Sequence, residues 1–231
     1  MPKLLLLVVA ALLALPCRAI AHDLWIERLD GRFVLQQGHR GEKLLPLDHA
    51  KVKALRCVAG TQAPKDVLAS AKAEPTRLAV AASCGALSAF LDRGFYSLTP
   101  DGEKNLPKSQ VPDAVKAWQS RQFAKWVDPR SPAAGRPIGD ELEIVPVTDL
   151  SKARQGDKAT FLVLLSGKPV AGAVLAIDHK ALGETDSAGE VRVKIRASEL
   201  ECVSATLRRP VKTSEADQLV LEASLSFEVA K

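Results

Sequence analysis

Over most of the chain, apolar and polar positions alternate with the two-residue period of a half-buried strand, in short runs that turn residues interrupt. Residues 24–28 and 32–37 flank Leu29-Asp30-Gly31, where Asp-Gly marks a tight hairpin turn. Residues 52–58, 67–70, 76–81, 86–91 and 94–99 continue the pattern and predict an antiparallel β-sandwich. Alanine richness between Ala69 and Ala89 blurs those boundaries, because alanine favours helix.

The middle of the chain changes character. Pro100-Asp101-Gly102 is a turn, and Pro112 fits the first turn of a helix over about 112–126. Val111, Val115, Trp118 and Trp126 fall on one face at helical spacing, with Gln122 as the exception. That stripe is expected to pack on the sandwich. Pro129, Pro132, Gly135 and Pro137 make a connector without regular structure. Glu141-Leu142-Glu143-Ile144-Val145-Pro146-Val147 alternates and then breaks at proline, as an edge strand does, which puts Glu141 and Glu143 on a solvated edge. Residues 160–165, 170–177, 190–196, 202–208 and 219–229 supply the strands of a second β unit. The fold expected is mainly β: two antiparallel β-sandwich units, 22–140 and 141–231, with one short helix between them.

The alternation does not reach the amino terminus. Lys3 is followed by an almost unbroken apolar run over 4–15 and then by Ala19-Ile20-Ala21, the small-x-small pattern of a secretory cleavage site. The run is shorter than the roughly 20 residues that span a bilayer, so residues 1–21 read as a cleaved signal peptide and the product as starting at His22. Cys17 raises a rival reading, an acylated lipoprotein, for which Pro16 directly before it is a poor fit.

Removing 21 residues from 231 leaves 210, enough for one large or two small domains. Hydrophobic content of 47% with 26% charged residues is that of a globular protein. The formal charge of +5 falls to +3 once Lys3 and Arg18 leave with the signal. Basic residues are interspersed with acids and aromatics are only 4%, so nothing supports a nucleic-acid surface. Export leaves Cys57, Cys84 and Cys202 in an oxidising space. Cys57 and Cys84 lie in two strand-like runs that can be neighbours, and a bridge between them stabilises by about 3 to 4 kcal/mol in the loop-entropy model. Cys202 is left over, read as a small apolar residue facing a core; a catalytic thiol is the sharper alternative, with no histidine close in sequence.

The chemistry begins with His22. At a free terminus its α-amine and imidazole nitrogen can close a chelate ring on one metal ion, and such donors suit copper, nickel, cobalt and zinc better than calcium or magnesium. The bland reading is that cleavage leaves some residue first and this one is histidine. His39, in Gly38-His39-Arg40-Gly41, follows a strand and comes near His22 if the hairpin folds back; His49, in Pro46-Leu47-Asp48-His49, sits in a polar loop that can approach either. Asp23 is a carboxylate neighbour. His179 follows the strand ending at Ile177 and is expected to be an exposed loop residue. There is no Gly-rich phosphate loop, Gly-x-Ser-x-Gly, His-Glu-x-x-His or Cys-x-x-Cys.

Two further segments carry a resemblance. Gly167-Lys168-Pro169-Val170-Ala171-Gly172-Ala173-Val174 and Thr185-Asp186-Ser187-Ala188-Gly189-Glu190-Val191 look like the repeat of transthyretin-like and carboxypeptidase-regulatory-like sandwiches. Taken with Ala21-His22-Asp23-Leu24-Trp25, Gly38-His39, the 96–102 and 123–125 regions and Leu142-Glu143-Ile144-Val145-Pro146, the chain resembles the DUF4198 family over nearly its whole mature length. That resemblance implies two Ig-like or transthyretin-like sandwiches and a periplasmic accessory to nickel or cobalt uptake. Such a protein binds a divalent metal, docks on a membrane metal transporter and is not an enzyme. His22, His39 and Asp23 are the ligand candidates it carries over, while His49 is added from proximity in sequence alone. With only four histidines there is no histidine-rich tail, so one compact site must suffice. The alternatives are a copper carrier, a copper oxidase of polysaccharides that braces copper with the terminal histidine, and a metal-independent interaction module. The oxidase needs a flat aromatic face for a glycan, and Trp118 and Trp126 belong to the expected helix stripe, so no polysaccharide partner is expected.

Overall fold

The computed structural model describes residues 22–230. The expected signal peptide and Cys17 lie outside the described residues. The first half consists of β1 (Asp23–Leu29), β2 (Arg32–Gly38), β3 (Val52–Val58), β4 (Lys65–Asp66), β5 (Lys72–Glu74), β6 (Arg77–Val80), β7 (Ala86–Thr99), β8 (Gly102–Lys104) and β9 (Lys116–Val127). The second half follows with β10 (Leu142–Pro146), β11 (Lys158–Leu165), β12 (Lys168–Pro169), β13 (Val174–Ile177), β14 (Lys180–Glu184), β15 (Glu190–Lys194), β16 (Leu200–Pro210) and β17 (Gln218–Glu228). The chain is mainly β, as the alternation predicts, and among the described residues the only helices are single 3-10 turns.

The strands form three sheets. β1-β2-β6-β5 make a four-stranded sheet; β10, β11, β12 and β15 make a second; and β14-β13-β16-β17-β9-β7-β3-β4, with β8 on β7, make a nine-stranded central sheet. Residue parity places the two smaller sheets on opposite faces of the central one. Ala124 and Trp126 of β9, with Leu87 and Leu91 of β7, pack against Leu24, Ile26, Phe33 and Leu35 of the first sheet. Phe123 and Val127 of β9, with Leu221, Leu225 and Phe227 of β17, pack against Ile144, Phe161 and Val163 of the second.

Two expectations change here. The helix over 112–126 is instead strand β9, from Lys116 to Val127. A central strand covered on both faces is apolar at odd and even positions alike, and a selection of those positions mimics a helical stripe. The boundary at 140/141 does not separate two sheets either: β17 pairs in parallel with β9 from Gln218↔Trp118 to Phe227↔Val127, so the two sandwiches share their central sheet. The remaining pairings are antiparallel.

Cys57 and Cys84 are bridged, with Cα atoms 5.5 Å apart. Glu143 is not on a solvated edge. It is buried at 2% exposure, its carboxylate 2.7 Å from the Lys125 ammonium of β9, and it accepts hydrogen bonds from the backbone N–H of Ile138 and Gly139. The polar side of the β10 alternation therefore faces a buried lysine, and the pair fixes the proline-rich connector to the central sheet.

Candidate functional site

The site grows from the way β1 lies over β17 and β9. The Ser224 hydroxyl donates to the Leu24 carbonyl at 2.5 Å and the Ser226 hydroxyl donates to the Ile26 carbonyl, so β1 is pinned residue by residue along β17. Where the first sheet ends, the buried Gln122 amide donates to the His22 carbonyl at 2.8 Å and to the Glu222 carboxylate at 2.7 Å, while accepting from Gln37 at 3.2 Å. The exception in the apparent helical stripe is thus the residue that fixes the start of the described chain.

His39 arrives from β2. Gly38 has a φ of 139°, and a Cβ there would sit 2.6 Å from the Lys43 carbonyl oxygen, so the Gly-His pair reflects a backbone crossing that only glycine allows. The ring of His39 stands with its centroid 5.3 Å from that of His22.

His179 arrives from the other half of the chain. Ile177 pairs with Lys180, leaving Asp178 and His179 as a two-residue hairpin turn, both left-handed, with φ of 47° and 60°. Neither is glycine, and such conformations at non-glycine residues concentrate at functional positions. His179 Nε2 lies 3.0 Å from His39 Nδ1 and 3.2 Å from Asp23 Oδ2. Arg40 steadies the turn, donating to the Leu200 carbonyl at 2.7 Å and pairing with Asp178 at 4.0 Å. His179 is an exposed loop residue, as expected, and its ring stands in one cluster with His22, His39 and Asp23.

His49 goes elsewhere. Leu47 is buried in the first sandwich and draws its loop toward the start of β6, where the His49 ring bonds the Arg77 carbonyl at 3.1 Å and does not line the cleft. Cys202 does not face the core of the second sandwich. Its neighbour Val203 does, and Cys202 turns to a narrow crevice beside Asp23, Trp25 and Arg40, where burial pushes its thiol up to about 12.

The cluster forms one wall of a cleft of about 570 Å³. Its floor is the part of the central sheet that β1 leaves uncovered, carrying Ala176, Ser204, Thr206 and Glu222. Burial, then the nearby Arg93 guanidinium and the other two imidazoles, lower the pKa of His22. Burial raises that of Asp23, against the pull of His179.

A family model described as "Domain of unknown function (DUF4198)" matches residues 19–200. The chain belongs to the DUF4198 family. No curated protein matches it. Among solved structures it is similar to the crystal structure of Dscam1 isoform 1.9, N-terminal four Ig domains, at 12% identity and a TM-score of 0.27, over 90% of this chain and 43% of that one. The DUF4198 chain spans less than half of that structure.

In this DUF4198 protein the cluster gathers three imidazoles and one carboxylate. Imidazole nitrogens with one carboxylate suit late first-row transition metals, whereas calcium and magnesium prefer all-oxygen shells. His39 Nδ1 and His179 Nε2 are 3.0 Å apart and share a hydrogen bond, one ring donating to the other according to its tautomer. As the side chains stand, no group of three His, Cys, Asp or Glu among the described residues closes on a single metal position.

Proposed function

We propose that this DUF4198 protein is an exported metal-binding accessory that takes one divalent ion of nickel, cobalt or copper through His22, His39 and His179, with Asp23 beside them. What carries the reading is the 3.0 Å approach of His39 Nδ1 and His179 Nε2, two residues 140 positions apart that the fold brings together next to His22. The Cys57–Cys84 bridge supports an oxidising, periplasmic setting. Cleavage before His22 adds its α-amine as a further nitrogen donor, and delivery to a membrane metal transporter is the role such a carrier fills.

The test is calorimetric titration of the exported protein, its terminus confirmed as His22 by mass, with nickel, cobalt, copper and zinc. A one-to-one isotherm that is lost in His22→Ala and weakened strongly when one alanine is added before His22 supports the terminal chelate. No binding by any of the four ions sinks it.

A copper oxidase is the second reading, and one observation favours it. Trp118 is not part of a helix: it is half-buried on β9, stacked on Tyr96 at 5.7 Å between centroids and 12° between planes, on the side of the central sheet that faces His22. Reductant-dependent peroxide release by the copper-loaded protein decides for that reading, and its absence decides against it.

A further inference from the structure

We infer that the outer face of the second sheet docks on a bilayer surface of anionic lipid. The inference goes beyond the metal-binding reading and does not depend on it.

Strand parity defines the face. In β11 and β15, Ala159, Phe161, Val163 and Val193 turn inward to the second core, so the alternate positions turn outward. The register sets the outward residues side by side: Lys158 opposite Lys194, Thr160 opposite Arg192 and Leu162 opposite Glu190. Lys158, Arg192 and Lys194 are exposed. More basic residues gather at the same end. The loop before β11 is bonded to the residues after β15, with the Gly156 N–H donating to the Ile195 carbonyl at 2.9 Å and the Gln155 amide to the Arg196 carbonyl at 2.7 Å. Lys152, Arg154 and Arg196 in these two connections are exposed as well. Among the described residues, none of these six cations forms an ion pair.

That arrangement costs the free protein stability. Like charges directly opposite one another on a sheet are destabilising. Neighbouring strands are about 4.8 Å apart and same-face residues along a strand about 7 Å, both within the Debye length of about 8 Å at physiological ionic strength, so the cations repel one another. An anionic surface offsets that repulsion. Lysine on an edge strand also deters strand pairing, and β15 is an edge, but Lys158 belongs to β11, which is paired on both sides.

The chemistry of the face selects lipid headgroups. Neither the cleft nor the crevice reaches these cations, so they contact a partner across an open sheet face. No aromatic side chain occupies the outward positions of β11 and β15, which leaves nucleic-acid bases nothing to stack on. Val147, 54% exposed at the end of β10, and half-buried Leu162 put apolar surface amid the charge, the combination that suits the boundary between headgroups and acyl chains. The first sheet lies on the opposite side of the central sheet, and the cleft beside β1 lies with it. A protein docked in this way keeps its cleft open to solution.

The experiment is co-sedimentation of the full exported protein, without metal, with vesicles of phosphatidylcholine alone and of equal parts phosphatidylglycerol and phosphatidylcholine. The expected result is binding to the anionic vesicles only, lost as salt rises from about 0.1 M to about 1 M and the Debye length falls from about 10 to 3 Å. Each basic residue near an anionic bilayer contributes roughly fivefold in affinity. The triple variant Lys158→Glu, Arg192→Glu, Lys194→Glu is therefore expected to lose about a hundredfold or more. The triple variant Lys53→Glu, Lys65→Glu, Lys72→Glu reverses exposed lysines of the first half to the same net charge and is expected to stay within a few-fold of the parent. The milder pair Lys158→Gln with Lys194→Gln, which removes the opposed charges, is expected to weaken binding while unfolding no earlier than the parent. No binding to the anionic vesicles overturns the inference. Equal losses from the two triple variants overturn it too, because the attraction then follows net charge and not this face. Binding to soluble polyglutamate but not to vesicles makes the partner an acidic protein and overturns it as well.

Discussion

The side-chain amide of Gln122 donates to the backbone carbonyl of His22 across 2.8 Å, although the two residues are 100 positions apart. That bond places His22 at the junction of the two sandwiches, because Gln122 sits on β9, the strand they share. Gln122 also accepts from Gln37 and donates to Glu222, and it is only 2% exposed. Replacing it with Leu leaves those buried groups unpaired, a loss of about 1–3 kcal/mol for each group so stranded. Gln122→Leu is expected to lower the unfolding midpoint and to weaken nickel or copper binding at least tenfold. An unchanged affinity in a folded variant rules out this anchoring role.

His179, beside the cleft, and His49, away from it, give a paired test. His179→Ala removes a donor 3.0 Å from His39 and 3.2 Å from Asp23. His49→Ala removes only a bond to the Arg77 carbonyl, away from the cleft. In competition with a chromophoric chelator, His179→Ala is expected to lose at least tenfold in metal affinity and His49→Ala to stay within twofold of the parent. Equal effects from the two refute the assignment of His179.

The contrast between these residues shows what the chain spells out locally. The β1–β2 hairpin was legible from Asp30-Gly31, and both residues adopt the left-handed conformations that such a turn requires. The Cys57–Cys84 bridge was legible from the strand-like run around Cys57, although Cys84 lies outside any strand, in the segment between β6 and β7. Strand β9 was not, since Phe123 and Val127 serve one core and Ala124 and Trp126 the other, which erases the two-residue period. His179 was hidden for a different reason. Its place depends on β13 pairing with β16, β16 with β17, and β17 in parallel with β9, three long-range pairings that no local pattern encodes. A local signal did exist in Ile177-Asp178-His179-Lys180, two polar residues between alternating runs, which is a hairpin turn with an imidazole at its tip.

The buried pair of Lys125 and Glu143 invites a double-mutant test. Both side chains are at most 3% exposed, their charged atoms 2.7 Å apart, and Lys125 also donates to the Arg136 carbonyl. Removing one partner strands the other charge, a loss of about 3–5 kcal/mol, whereas replacing both with apolar residues of similar volume is often near neutral. Lys125→Met alone is expected to lower stability by that amount in urea unfolding. Lys125→Met with Glu143→Leu is expected to recover part of it; the Ile138 and Gly139 N–H groups that bond Glu143 then stay unpaired and prevent full recovery.

Asp140 gives the fold a pH dependence of unusual sign. Its side chain is 2% exposed and pairs with Arg56 at 2.8 Å. Burial, reinforced by the neighbouring Glu143, nevertheless raises its pKa to about 6, against the opposing effects of Ser88, Arg56 and Lys125. A carboxyl that holds its proton more tightly when folded than when unfolded contributes stability in full below its unfolded pKa, near 4, and loses it as pH rises through about 6. The loss is on the order of 3 kcal/mol for a shift of this size. Most paired carboxylates act in the opposite direction, so the effect is to be read as a difference between the parent protein and Asp140→Asn. Asparagine cannot ionise, and whatever it changes in the Arg56 contact is a constant offset above pH 6, where Asp140 is charged in both states. Denaturant unfolding from pH 4 to 7 is expected to show the stability of the parent relative to Asp140→Asn falling between pH 4 and 6 and levelling above pH 6. A constant difference across the range means that Asp140 is ionised throughout, with the Arg56 pair outweighing its burial.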